Sequence, residues 1–138
     1  MTPNDLEHVQ RSWSQLRWRR PVLVAALADC FAEAGQPIAE AARRADWLVG
    51  AVDQLVWLLP APSRLAATAR ELADGWPDPL TAPSFAVEGL AWMEASRRCL
   101  ETWSDRAEDS WRQAWLLLAD VLAAETLSPF ADGATPDA

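Results

Sequence analysis

The sequence predicts an all-α, single-domain fold of about six main helices. Three observations carry that expectation. No segment alternates apolar and polar residues over a strand's length, whereas apolar residues recur at spacings of three and four along most of the chain. Prolines and two glycines, Gly35 and Gly75, punctuate those stretches where helices should stop or start. The length of 138 residues, 51% apolar, is one domain with room for a core. We expect that domain over residues 1–127, followed by a flexible C-terminal tail, SPFADGATPDA, over 128–138.

The first helix should open at Thr2-Pro3, with Thr as N-cap and Pro in the first turn. Leu6, Val9, Trp13 and Leu16 make its narrow inward stripe and leave His8 exposed. The second starts near Pro21, turns Leu23, Leu27, Cys30, Phe31 and Ala34 inward, and stops at Gly35. A third, about 38–59, gathers Leu48, Val49, Val52, Leu55, Val56 and Leu59 on one broad face, with Trp47 and Trp57 towards the other. Pro60 and Pro62 end it. The fourth, about 63–74, buries Leu65, Ala69 and Leu72, and GWPDPLTAP (75–83) forms the longest loop. The fifth, about 84–102, points Ala86, Leu90, Met93 and Leu100 inward. Ser104 or Asp105 caps the last helix, whose stripe is Ala107, Trp111, Ala114, Leu118 and Val121.

Charge and residue inventory exclude several functions. A net charge of −8 opposes a phosphate backbone, so nucleic acid is not an expected partner. The longest apolar run, 47–59, is interrupted by Asp53 and Gln54 and falls short of the roughly 18–20 residues that a membrane span needs. No membrane association is expected. Two cysteines, Cys30 and Cys99, make no secreted disulfide framework, and no signal-peptide pattern opens the chain, so a cytoplasmic location is expected. One histidine and two distant cysteines provide no metal cluster and no catalytic triad, and the chain is not expected to be an enzyme. The cysteines read as small buried hydrophobes, with a redox pair or covalent attachment site as the alternative. One basic cluster, RWRR at 17–20, reads either as a solvated inter-helix turn or as a patch for an anion or acidic partner. Nine tryptophans exceed what a core of this size requires, so Trp18, Trp47, Trp57, Trp76 and Trp92 are candidates for a pocket or dimer face.

VEGLAWM (87–93), then Trp103, Trp111, Trp115 and LLLAD (116–120), resemble the closing helices of bacterial globins and flavohaemoglobin globin domains. TPNDLEHVQRSWSQL (2–16) looks like their first helix and FAEAGQP (31–37) like the end of their second. The likeness extends to about residue 125 and implies a globin-like fold. It also implies haem, held in such proteins by a proximal histidine near a helix end. That position falls at or near Asp74, the distal position of the second helix near Leu27, and the distal Gln or His position at Val52. A carboxylate is a poor substitute for imidazole on iron. No cofactor is therefore expected, although haem is the family's.

The resulting expectation is a globin-fold protein without conventional haem binding, acting as a sensor, regulatory or protein-interaction module. A homodimer or other protein is the expected partner, with a small apolar molecule as an alternative ligand. The vestigial pocket would be lined by Leu27, Phe31, Val52, Leu72 and Met93, with Asp74 at the former ligand position and Trp76 at the mouth. The alternative is a divergent haem globin carrying oxygen or another diatomic gas.

Overall fold

The computed structural model describes residues 1–75 and 82–134, with side chains at all of these except 73, 82–86 and 122–134. Trp76 and most of the 75–83 loop thus lie outside the described residues. Among the described residues six main helices follow in order: α1 (Pro3–Arg17), α2 (Arg20–Glu33), α3 (Ile38–Leu55), α4 (Pro62–Asp74), α5 (Ala82–Cys99) and α6 (Asp105–Ala134). A 3₁₀ turn, Val56–Leu58, continues α3. Helix α2 packs on both α3 and α5, while α1 and α4 pack on α6. Helices α5 and α6 pair with each other, as do α3 and α4. The result is an all-α, globin-like arrangement.

Local chemistry fixes the helix ends. Thr2 accepts a hydrogen bond from the Asp5 amide at 3.1 Å, and the Asp5 carboxylate accepts one from the Thr2 amide at 3.0 Å. This capping box satisfies two otherwise orphaned donors. At the other end of α2, Gly35 adopts φ +103°, Gln36 donates to the Phe31 carbonyl and Gly35 to that of Ala32. That Schellman closure needs a left-handed residue, which a side chain would strain.

Several expected boundaries shift. Helix α3 tightens into 3₁₀ geometry after Leu55 rather than running to 59, because Pro60 lacks an amide and its ring crowds the carbonyl one turn back. Pro62 opens α4 instead of merely ending α3, since the first helical turn does not use the missing donor. Helix α5 starts at Ala82 and ends at Cys99, earlier at both ends than expected. Helix α6 runs from Asp105 to Ala134. The alanines at 119, 123 and 124 favour that propagation.

The core centres on four indoles. Trp92 of α5 lies 5.9 Å from Trp13 of α1, 5.4 Å from Trp111 and 5.6 Å from Trp115 of α6, centroid to centroid, in tilted contacts. Trp13 donates from Nε1 to Asp53 at 3.2 Å, and Trp111 donates to Ser12 Oγ at 2.7 Å. Gly89 makes room for this cluster, because a Cβ there would sit 2.7 Å from the Trp115 ring. Trp92, expected at a pocket or interface, is instead fully buried, whereas Leu90, expected inside, is 70% exposed. The larger ring captures the inner face of α5 and rotates leucine outward. Ala34 is exposed at the end of α2, and His8 is half-buried rather than free on the surface.

Asp5 also ties the chain's beginning to its last helix. Its Oδ1 accepts a hydrogen bond from Ser110 Oγ of α6 at 3.0 Å. The Thr2 amide and hydroxyl, with Ser110, hold the carboxyl below its ordinary range. A depressed folded-state pKa contributes stability that is present above the unfolded value of about 3.9 and is lost as pH falls through the folded value. Asp5→Asn should therefore be less stable than wild type near neutrality, with the difference closing in more acid solution. Urea midpoints at pH 6 and pH 3 test this; an equal gap at both pH values contradicts it.

Candidate functional site

The residues expected to line a vestigial pocket come from α2, α3, α4 and α5. Leu27 and Phe31 of α2, Val52 of α3 and Met93 of α5 are all buried in one continuous apolar core. Leu72 of α4 packs half-buried against its edge. Asp74, the last residue of α4, is exposed to solvent. The structure thus brings four of the candidate residues into the core, places Leu72 beside it and leaves Asp74 on the surface.

Three residues define this region more sharply: Trp47, a candidate for a pocket or dimer face, and Arg44 and Glu88, which the sequence reading did not select. Arg44 of α3 reaches across to Glu88 of α5, Nε to Oε1 at 3.4 Å. The arginine side chain is 13% exposed and the carboxylate only 2%. Burying two charges is costly unless they neutralise each other, and this pair ties α3 to α5 across a narrow seam. One turn along α3 from Arg44, Trp47 lays its indole against the end of α4. Its Nε1 lies 3.7 Å from where a Cβ on Gly75 would stand. A large aromatic side chain therefore lies beside the residue next to Asp74. The signal in the sequence was faint but present: Arg44 falls within the buried Ala41, Ala45 and Leu48 face, and Glu88 falls four residues before Trp92. Opposite charges on two inward faces mark a buried pair.

These residues suit haem poorly. Iron needs a strong axial donor reaching inward from α4, and the exposed Asp74 carboxylate is weak and short. The chain's single histidine, His8, is on α1, which packs against α6. Cys30 and Cys99 are buried free thiols, and desolvation pushes both thiol pKa values up despite neighbouring Arg98 and Arg19. Such groups stay protonated and make poor nucleophiles or ligands at neutral pH. Among the described residues, no group of three or more His, Cys, Asp or Glu is placed to hold a metal ion, and no helix is long and apolar enough to cross a membrane. No protein-family model matches the sequence, and no curated protein matches it closely enough to count as a relative.

The surface is more distinctive than the interior. On α5, Leu90, Glu94 and Arg97 fall along one stripe; on α6, Glu108, Arg112 and Leu116 form another. Arg97 pairs with both Glu94 and Glu108, and Arg112 pairs with Glu108, so the stripes share one outer face. The helices run antiparallel, with Gly89 against Trp115, which brings Leu90 and Leu116 to the same end. Leu116 is 62% exposed and Val87, one turn before Leu90, is also exposed. A second surface feature is the α1–α2 corner, where Trp18 is 90% exposed among Arg17, Arg19 and Arg20.

Proposed function

We propose that this chain is a haem-independent globin-fold module that acts as a sensor, regulatory or interaction unit by contacting proteins, a second copy of itself among them. The observation that carries this reading is the placement of Trp47 and the Arg44–Glu88 pair around the α3–α4–α5 region, where a porphyrin would need an open slot and an inward ligand. The exposed leucines on the outer α5–α6 face support the second part, since contiguous apolar exposure on a folded protein favours association.

The test is to produce the protein with excess haem precursor, then record its absorption spectrum, far-UV circular dichroism and sedimentation behaviour. We expect a helical protein without a Soret band that self-associates as concentration rises. A sharp Soret band at one haem per chain, abolished by a single substitution, would overturn the reading in favour of a divergent globin carrying a diatomic gas. Asp74→His alone should also gain no haem, because Trp47 still stands against Gly75. Tight haem binding by that variant would show that the region opens more readily than its packing implies.

A further inference from the structure

We propose that the α1–α2 corner docks a short acidic peptide segment of a partner protein, its carboxylates meeting Arg17 and Arg20 and an apolar side chain covering the Trp18 indole. This deepens the interaction-module reading, yet it stands on Arg17, Trp18 and Arg20 rather than on Arg44, Trp47 and Glu88. Trp18 occupies the C-cap position of α1, so its backbone is fixed by the helix end while its ring projects into solvent. A concavity of about 300 Å³ opens beside Arg17 and Trp18. That is space for one or two side chains. Asp53 of α3 stands 3.7 Å from Arg17 Nε and 3.8 Å from Arg20 Nη1, which gathers both guanidinium groups on one side of the corner without neutralising them. Arg19 donates to the Cys99 carbonyl at 3.2 Å and anchors the turn to α5.

Charge complementarity selects the occupant. Three arginines against one aspartate make the corner positive, on a chain whose net charge is −8. A long polyanion or an anionic bilayer reaches well beyond the corner and meets the acidic remainder of the surface. A peptide of a few residues feels the corner alone, because screening confines charge interactions to about 8–10 Å at physiological salt. Arginine and tryptophan together form the residue set that most often dominates binding energy at protein interfaces. The groove of about 400 Å³ along α1, by contrast, contains Glu7 and Arg11 bonded to each other, so no net charge selects a ligand there.

The experiment uses the full chain and a fluorescein-labelled peptide with glutamates flanking a central phenylalanine, followed by fluorescence anisotropy. Saturable binding should weaken about tenfold or more in Trp18→Ala and in Arg17→Glu, and should fall with added salt. A glutamine-for-glutamate peptide should not bind. Trp18→Ala removes an exposed ring and should leave the circular dichroism spectrum unchanged. Absence of peptide binding, or binding indifferent to Trp18→Ala, overturns the proposal. So does Trp18-dependent binding to phosphatidylserine vesicles without peptide binding, which assigns the corner to membranes. Loss of self-association in Trp18→Ala without peptide binding assigns it to a second copy and overturns the proposal equally. None of these outcomes alters the haem spectrum, so a failure here is separable from a failure of the haem-independent reading.

Discussion

Arg44→Ala should destabilise the protein by about 3–5 kcal/mol, the cost typical of removing one partner of a buried ion pair. The substitution deprives a carboxylate that is only 2% exposed of the guanidinium 3.4 Å away. Replacing both partners with apolar residues of similar volume, Arg44→Met with Glu88→Leu, should restore most of that loss. Ion pairs in protein interiors hold little net advantage over good packing. Urea unfolding of wild type, Arg44→Met, Glu88→Leu and the double variant closes the cycle, with Arg44→Ala measured beside them. A loss below about 1 kcal/mol for Arg44→Ala would mean that Glu88 finds sufficient compensation elsewhere, and the seam would not depend on this pair.

Gly89→Ala is the second large effect, and its sign is diagnostic. An alanine within a helix normally gains up to about 1 kcal/mol over glycine. At position 89 the added methyl would lie 2.7 Å from the Trp115 ring, and Trp92 packs against that ring, so the ring has little freedom to retreat. Overpacking of this kind typically costs about 1–3 kcal/mol, so the net change should be destabilising. Gly50→Ala provides the control. A Cβ there would meet only the end of the Arg20 side chain at 3.6 Å, an ordinary contact, so this variant should be neutral or stabilised. If thermal unfolding ranked the two alanine variants equally, the close approach of Trp115 to α5 would be refuted.

Much of the fold was readable because its decisive residues act locally. Thr2, Pro3 and Asp5 start a helix through contacts within one turn, and Gly35 ends one through its own backbone angle. The inner stripes of α1 and α6 were legible because polar residues frame them. Helix α5 was not, since VEGLAWM is apolar on nearly every side and periodicity alone cannot choose a face. What chose was the mutual packing of Trp13, Trp92, Trp111 and Trp115, which joins residues far apart in sequence. The candidate site divided in the same way. Leu27, Phe31, Val52 and Met93 were recognisable as inward residues, whereas the pairing of Arg44 with Glu88 and the reach of Trp47 to Gly75 depend on helix placement.

The bonds joining Asp5 to Ser110 and Ser12 to Trp111 also dictate when this protein can fold. They span 105 and 99 residues, so these contacts of α1 wait for the synthesis of α6. Until then the part of α1 that packs on α6 lacks its native cover. Long-range closure of this kind slows folding and prolongs exposure of apolar surface. A nascent chain halted before residue 110 lacks both Ser110 and Trp111, and with them these two partners of α1.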